Sequence, residues 1–407
     1  MKTKPMIIGL LAISLFLFGC TEGDAAQDAL RKGPYLIYPG DQSSMIVLFQ
    51  THGTPGSAVL EWGEGGYFEL GKTELSEYGS GSDGHQFQHK ITGLGPDRKI
   101  NYRITIDGQE YESSFRTAPA DDADSLTFYA YGDTRTNPGA QDAVLGQLLA
   151  DMMQDQGRRQ TIALHAGDYV TFGLDEAHWD DEFFSRKRPN IQEFLSVMPM
   201  MGAIGDHENF DNGEYVADVP DEGMLFRKYW PNPLFAEEGH FYYSFDYGPL
   251  HVTVIDQYTA NYSNGSAQYD WIVDDIRGTD RPWKVVMFHQ PGYSAYGIPG
   301  PNVYPHDDNE VVQQDLHPVF LENGVKVVVQ GHNHYYARAE VDGIQYLTLG
   351  GGGAPLYLPD HNYPFVVAAA EDYHFSRMEI DGDKMLVSVI NDEGDLIDWF
   401  SASAGDE

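Results

Sequence analysis

Five apolar stretches of this 407-residue chain each run into a short polar sequence. They read LTFYAYGD over residues 126–133, TIALHAGD over 161–168, MPMMGAIGDHE over 198–208, KVVMFH over 284–289 and VKVVVQGHNH over 325–334. Continuous apolar runs are typical of strands that are covered on both faces. In open sheets of alternating strands and helices, ligands bind beyond the carboxyl ends of the strands. We therefore expect the polar residues at these five ends to converge on one site. The residues concerned are Asp133, Asp168, Asp206, His289, His332 and His334.

The order of these strand ends matters more than any one residue. A single Asp after a strand is more often a turn residue or a helix cap, and a lone buried His is usually only hydrogen-bonded. Five such ends in chain order are hard to attribute to coincidence. Glycine precedes four of the five polar sequences, at Gly132, Gly167, Gly205 and Gly331. Glycine lets the backbone turn sharply and approach its neighbours closely.

Composition limits what this site binds and what the chain associates with. The sequence has 62 acidic against 25 basic residues, a formal net charge of −37. This charge argues against nucleic acid as a partner, because phosphate backbones need a basic surface. An anionic ligand would need concentrated local positive charge, which metal ions supply. The only cysteine is Cys20, so any metal in the mature chain must bind to His, Asp or Asn.

The amino-terminal residues predict export. Lys2 and Lys4 precede an apolar run that ends in Leu17-Phe18-Gly19-Cys20, and the run is too short to span a bilayer. The ending resembles a bacterial lipobox. We interpret residues 1–20 as a lipoprotein-type signal peptide and 21–30 as a tether, with a lipid on Cys20 as the only membrane contact. The mature protein would then be periplasmic or anchored to the outer membrane. Plain secretion with an incidental cysteine is the alternative.

The rest of the chain divides into two domains. Residues 31–118 contain short alternating strands separated by Gly/Pro turns, which predicts an all-β sandwich. Residues 123–403 alternate apolar strands with helix candidates at 142–153, 268–276 and 311–321, which predicts a layered α/β domain.

The ordered strand ends resemble the calcineurin-like metallophosphoesterases. The sandwich resembles the fibronectin-III-like domain that precedes the catalytic domain in purple acid phosphatases, so the chain looks most like that branch. The resemblance implies a catalytic fold of two mixed β-sheets flanked by helices. It also implies two divalent or trivalent metal ions, with Mn, Fe, Zn and Co all compatible with oxygen and nitrogen ligands. Asp168 would bridge the two metals, and Asp133 and His334 would bind the first. The second would be bound by Asp206, His289 and His332.

The same resemblance implies a reaction. A metal-bridging hydroxide would attack phosphorus, while His207 would protonate the leaving group and Glu208 would orient His207. The expected enzyme is a phosphomonoesterase of the acid phosphatase type acting on a small phosphorylated substrate. Two alternatives stay open: a phosphodiesterase with the same site, and a catalytically degenerate, metal-bearing lipoprotein that binds a surface. A third is an interaction module that uses the sandwich. The sequence leaves the oligomeric state unknown.

Three positions depart from the family pattern. Asp206 replaces an asparagine, Arg135 replaces a histidine ligand, and Thr171 stands where purple enzymes have a tyrosine ligand, while Tyr169 is poorly placed to replace it. We expect no purple colour. Arg135 offers a planar fork that suits phosphate oxygens, so we expect it to bind the substrate phosphate or to pair with Asp206. A solvated loop arginine beside a one-metal site is the alternative.

Residues near the ligand motifs have two interpretations, pocket lining or packing. They are Gly292-Tyr293, His306 and Tyr335. The glycine run Gly350–Gly353 could approach the site, but it lacks the Lys-Ser/Thr of a nucleotide P-loop.

Overall fold

A computed structural model describes residues 28–81, 84–217, 219–220, 223–237, 239–298 and 306–405. The predicted signal peptide, Cys20 and residues 21–27 of the tether lie outside these ranges. Within them, no helix is both long and apolar enough to cross a membrane.

The amino-terminal region consists of two antiparallel four-stranded sheets, ordered β1-β2-β6-β5 and β4-β3-β7-β8. In β7 the apolar side chains of Ile100, Tyr102, Ile104 and Ile106 are buried, and the residues between them are half-buried. This alternation with a period of two gives each sheet one face to bury against the other. The strands are β1 Leu30–Ile37, β2 Met45–Thr51, β3 Ala58–Gly63, β4 Gly71–Glu74, β5 Glu77–Gly81, β6 Gly84–Ile91, β7 Lys99–Ile106 and β8 Gln109–Arg116.

The remaining residues form two mixed β-sheets flanked by helices, which confirms the predicted fold class. One sheet has the order β11-β10-β9-β21-β22-β23 and the other the order β14-β15-β16-β17-β19-β18-β20. The strands of the first sheet are β9 Ser125–Tyr131, β10 Ala163–His165, β11 Met200–Gly202, β21 His374–Asp381, β22 Lys384–Asn391 and β23 Leu396–Ser403. The strands of the second are β14 Tyr243–Tyr247, β15 Leu250–Val254, β16 Trp283–Met287, β17 Val327–Gln330, β18 Tyr336–Val341, β19 Ile344–Leu349 and β20 Val366–Ala370. A two-stranded ribbon is made of β12 Phe210–Asp211 and β13 Glu214–Tyr215.

The strand ends that carry the polar residues belong to two sheets. Strands β9, β10 and β11 run parallel in one sheet, and β16 and β17 run parallel in the other. The site therefore lies where the carboxyl ends of two sheets face each other, and each sheet delivers its ligands from a different side.

Helices cover the outer faces of the sheets. The first begins four residues before its predicted start, because Pro138 occupies the first turn and the Asn137 side chain accepts hydrogen bonds from the backbone N–H groups of Gly139 and Ala140. The helices are α1 Pro138–Met152, α2 Glu176–His178, α3 Pro189–Val197, α4 Leu225–Tyr229, α5 Ala267–Gly278 and α6 His317–Glu322. Two π-helical turns adjoin them, Trp179–Phe183 after α2 and Val312–Leu316 before α6.

One hydrophobic core joins the amino-terminal region to the region that follows it. Tyr35 of β1 packs against Phe184 and Trp230, with ring centroids 5.0 and 5.8 Å apart. Beside them the fully buried Lys32 donates a hydrogen bond to Glu176 at 2.9 Å. A buried ammonium is tolerated only when it is paired, so this contact fixes how the two regions meet.

Trp230 is the centre of this aromatic cluster and gives the first prediction. Trp230→Ala should lower the free energy of unfolding by about 3–5 kcal/mol, because it removes a fully buried ring and leaves a cavity. Trp399→Ala is the matched control: Trp399 is 62% exposed, against 2% for Trp230, and should change stability by about 0.5 kcal/mol or less. Chemical denaturation of both variants measures the difference, and equal losses would show that Trp230 is not a core residue.

Candidate metal centre

The backbone at the strand ends is held in an uncommon conformation. Asp133, Asp168 and His332 have positive φ angles of 57°, 59° and 68°, a region that residues other than glycine rarely adopt. Such strain persists only where surrounding contacts impose it, and it clusters at functional sites. Here the turns aim three side chains back toward the gap between the sheets.

The glycines before these residues provide space. A Cβ atom built on Gly167 would lie within 3.0 Å of the His289 ring. A Cβ atom built on Gly331 would lie within 3.0 Å of the Asp133 carboxylate and of neighbouring backbone. At Gly205 it would meet the Asp168 carboxylate equally closely. Of the four glycines, only Gly167 has a positive φ. Close approach, more than turning, explains why glycine stands at these positions.

Three residues that we call the second group lie closest together. They are Asp206, His289 and His332. Asp206 Oδ1 lies 3.2 Å from His289 Nε2 and 3.1 Å from His332 Nδ1. The two imidazole nitrogens are 3.2 Å apart.

The other three residues form what we call the first group. They are Asp133, Asp168 and His334. His334 Nε2 lies 3.7 Å from Asp133 Oδ1. Asp168 stands between the groups, because its Oδ1 atom is also 3.2 Å from His289 Nε2. The structure therefore brings all six predicted residues together.

The donor atoms of the second group fit a cation. The Nδ1–H of His289 donates to the carbonyl of Ala166 at 2.6 Å, so its Nε2 atom carries a lone pair in the neutral ring. That lone pair faces two carboxylates and a second imidazole nitrogen. Two ligands that are each about 2.1 Å from one metal ion lie about 3–3.5 Å apart, which matches the separations found here.

The first group fits a cation by the same reasoning. His334 Nδ1 donates to the carbonyl of Pro355 at 3.0 Å, leaving its Nε2 lone pair directed inward. The Asp133 carboxylate is oriented by the backbone N–H of His332, which lies 3.0 Å from both of its oxygens. Partners of this kind orient metal ligands in proteins.

Arg135 lies beside the first group, and one of its two expected roles is not found. Its Nε donates to Asp168 Oδ2 at 3.2 Å, its Nη2 donates to His334 Nε2 at 3.1 Å, and its Nη1 donates to the hydroxyl of Thr136 at 3.2 Å. The expected pairing with Asp206 is not made, because the turn after Asp133 places the arginine on the side of the first group. The Arg135 side chain is only 16% exposed, so it is not a solvated loop residue.

His207 borders both groups. Its Nδ1–H donates to the carbonyl of Thr171 at 2.7 Å, its ring stacks on Phe210, and its Nε2 lies 3.9 Å from Asp168 Oδ2. The ring is therefore fixed by packing and by one hydrogen bond. Its free nitrogen faces the gap between the sheets.

Glu208 does not orient His207, contrary to the sequence-based expectation. It is fully buried, and its carboxylate accepts backbone N–H groups of Gly205, Asp168 and Tyr169 at 2.7, 3.1 and 2.9 Å. The short turn His207–Asn209 points its side chain inward, away from the His207 ring. Glu208 thus connects the ends of β10 and β11.

Neither Thr171 nor Tyr169 is positioned as a metal ligand. The Thr171 hydroxyl lies 2.9 Å from that of Thr136 and donates to Glu182 at 3.1 Å. Glu182 also accepts the backbone N–H groups of Thr136 and Thr171, both at 2.8 Å. The Tyr169 ring stacks on His165 with centroids 4.0 Å apart, inside the aromatic core.

Sequence reasoning missed several residues around the site. Gln257 accepts the backbone N–H of His289 at 3.1 Å and so fixes the end of β16. The ring of Tyr258 lies 6.0 Å from that of His289, and its buried hydroxyl has no hydrogen-bond partner among the described residues. The segment Ile255-Asp256-Gln257-Tyr258 follows strand β15, so a sixth strand end was the available signal.

The uncertain pocket residues have different outcomes. Tyr293 packs against Tyr346 and His317, and Tyr335 is buried and accepts the backbone N–H of Ala295, so both are packing residues. The His306 ring lies 4.2 Å from that of His332 and borders the second group.

The glycine run does reach the site. The backbone N–H groups of Gly352 and Ala354 donate to the carbonyls of Gly132 and Asp133, both at 2.8 Å. A Cβ atom at Gly350, Gly352 or Gly353 would meet backbone of the loops that hold the ligands within 3.0 Å.

Burial governs the electrostatics of the centre. It raises the pKa of Asp133, with the charge of Asp168 adding to the effect. It also raises the pKa of Glu208. For Asp206 burial acts in the same direction, but the neighbouring His332 and His289 hold its pKa well below the usual range. Carboxylates so close together need positive charge to remain ionised.

Comparisons with known proteins agree with this geometry. Purple acid phosphatase 18 of Arabidopsis thaliana is 28% identical over 78% of this chain and 70% of its own length. Fe(3+)-Zn(2+) purple acid phosphatase 12 of Arabidopsis thaliana is 25% identical over 69% of this chain and 54% of its own length. The structure of a purple acid phosphatase from yellow lupin (Lupinus luteus) seeds superimposes with a TM-score of 0.73 at 18% identity, covering 91% of this chain and 74% of that one.

A sequence model of the calcineurin-like phosphoesterases matches residues 126–336, which include all six residues of the two groups. Because this match spans more than half of the chain, the protein belongs to the calcineurin-like phosphoesterase family and is a metal-dependent phosphoric ester hydrolase with purple acid phosphatase relatives.

Proposed function

We propose that the protein is a phosphomonoesterase that cleaves small phosphorylated substrates at the first and second groups. The observation that carries the proposal is the convergence of six donor side chains with Arg135, a cation that suits a phosphate dianion. A monoester carries more negative charge than a diester, so a site with an added guanidinium favours monoesters. A phosphodiesterase with the same residues is the second candidate.

In this proposal the first group holds one metal ion, the second group holds another, and Asp168 belongs to both. Ions bound there supply Lewis-acid charge to the phosphate oxygens and make a water molecule nucleophilic near neutral pH. The ligand set of carboxylates and imidazoles suits Mn²⁺, Fe, Zn²⁺ or Co²⁺. The relative whose name includes Fe³⁺ and Zn²⁺ supports the proposal that each group holds one ion.

His207 is proposed to donate the proton to the leaving oxygen from Nε2. Its Nδ1–H is held by the Thr171 carbonyl, and its Nε2 lies 3.9 Å from Asp168 Oδ2, on the side of the gap between the sheets. The stacking on Phe210 holds the ring plane, so the donor is positioned before the substrate arrives.

Arg135 and Tyr258 are proposed to contact the phosphate. The guanidinium carries more N–H groups than its present partners use, and the Tyr258 hydroxyl is a buried donor without a partner among the described residues. A buried polar group with no partner is uncommon in proteins and is often explained by an absent ligand or water.

The cellular setting is also a proposal. The basic start and apolar run of the first twenty residues support export, with or without a lipid on Cys20. The amino-terminal sheets are proposed to form a fibronectin-III-like domain.

Asp168→Asn tests the proposed function most directly. It should reduce turnover of 4-nitrophenyl phosphate by more than about 100-fold, because it weakens a residue shared by both groups. Asp398→Asn is the control: Asp398 is a half-buried residue of β23 that pairs with Arg338 of β18, and its replacement should leave turnover unchanged. Assays with Mn²⁺, Fe²⁺, Zn²⁺ and Co²⁺ should include bis(4-nitrophenyl) phosphate, since faster diester cleavage would favour the phosphodiesterase. One bound metal and no turnover of either ester would favour a binding protein.

His207→Ala should have an effect that depends on the leaving group. For an alkyl phosphate, kcat should fall by about 10²–10⁴-fold, the usual contribution of a general acid. For 4-nitrophenyl phosphate the loss should be small, because nitrophenolate leaves without a proton. His85→Ala, in the amino-terminal region, is the control. Equal losses for both substrates would rule out proton donation by His207.

The iron-loaded protein should show no visible tyrosinate-to-iron charge-transfer band. Thr171 stands at the position of the tyrosine ligand, and the Tyr169 ring is stacked in the core. Absorption spectroscopy measures this, and a visible band that disappears in Tyr169→Phe would contradict the assignment.

A further inference from the structure

The guanidinium of Arg135 uses donor atoms that a first metal ion would also need. Its Nη2 atom donates to His334 Nε2 at 3.1 Å, and its Nε donates to Asp168 Oδ2 at 3.2 Å. The other ring nitrogen of His334 already donates to Pro355. An imidazole nitrogen has one lone pair, so His334 Nε2 cannot accept from Arg135 and bind a metal ion at the same time.

We propose that Arg135 is an internal cation that competes with metal at the first group, so that the two groups load in sequence. The second group fills first, because its donor atoms contact one another and not the guanidinium of Arg135. The first group then fills only when Arg135 leaves His334, which frees the guanidinium to face the substrate phosphate. This inference rests on the proposed ligand roles and does not depend on which ester is cleaved.

The surroundings of Arg135 suit such a displacement. The side chain is 16% exposed, so its head can move toward solvent without crossing the core. Its backbone stays in place, because the next residue, Thr136, donates its N–H to Glu182 at 2.8 Å. The anchored backbone keeps the head near the site when the side chain changes rotamer.

Charge provides the driving force for the competition. In the metal-free chain, Arg135 offsets part of the charge of Asp133 and Asp168, both buried. An isolated buried carboxylate is costly, so the arginine stabilises the empty first group. A metal ion that enters must replace this contact and also meets repulsion from the guanidinium until it moves.

Titration of the metal-free full chain with Co²⁺ tests the proposal. Absorption spectra and competition with a chelator give the affinity of each equivalent without any substrate. Wild type should bind one equivalent tightly and a second more weakly. Arg135→Met, which keeps length but removes charge, should tighten the second equivalent by about tenfold or more, the effect expected from losing one charge-assisted hydrogen bond, and leave the first unchanged.

A matched arginine and a ligand variant serve as controls. Arg159 is 18% exposed and pairs with Asp151 and Glu379 away from the site, so Arg159→Met should leave both affinities unchanged. His334→Ala should abolish the second equivalent only. Thermal melting in chelator shows whether Arg135→Met is folded, and Arg135→Gln provides a second neutral replacement.

Each result has a definite meaning. An unchanged or weaker second equivalent in folded Arg135→Met and Arg135→Gln would overturn the proposal, as would loss of the first equivalent. The proposed function fails separately, if wild type binds two Co²⁺ ions and cleaves neither ester.

Discussion

Several buried negative charges must share one small volume. Asp133, Asp168 and Glu208 are all buried, Asp206 stands beside them, and the chain as a whole carries a formal charge of −37. Burial raises the pKa of Asp133 and Glu208. Their ionised forms are therefore costly in this volume. Backbone N–H groups satisfy Glu208, imidazoles surround Asp206, and Arg135 contacts Asp168. The remaining requirement for positive charge is what makes this a metal site.

The fold meets this requirement by bringing together the ends of two sheets. Strands β9, β10 and β11 deliver carboxylates, and β16 and β17 deliver imidazoles, so acids and bases reach the gap from opposite sides. Glycines allow the loops to touch, and the left-handed backbone at Asp133, Asp168 and His332 turns their side chains inward. Hydrogen bonds between the loops hold the ligand side chains in this arrangement. One example is the bond from the Asp133 N–H to the Gly167 carbonyl at 3.0 Å.

The sequence predicted the strand ends well, because buried parallel strands leave continuous apolar runs that end at polar residues. It also predicted the fold class and the six residues that meet at the site. It did not predict contacts that depend on the direction of a side chain. Arg135 contacts Asp168 and His334 instead of Asp206. Glu208 accepts backbone N–H groups instead of orienting His207, and turn geometry sets both directions. Gln257 and Glu182 were missed because each acts by accepting N–H groups from another loop, a contact that the sequence pattern does not record. For Gln257, the end of strand β15 was the one available signal.

The shared aromatic core has a consequence for how such a protein diversifies. A sequence comparison would place the border between modules in the stretch between β8 and β9, yet Tyr35 and Lys32 of the first strand are embedded among Phe184, Trp230 and Glu176. Replacement of the amino-terminal region by recombination would remove Tyr35 and Lys32, and their partners would then lie against an unrelated surface. The two modules are therefore expected to be inherited as a unit, with changes at their contact occurring in compensating pairs.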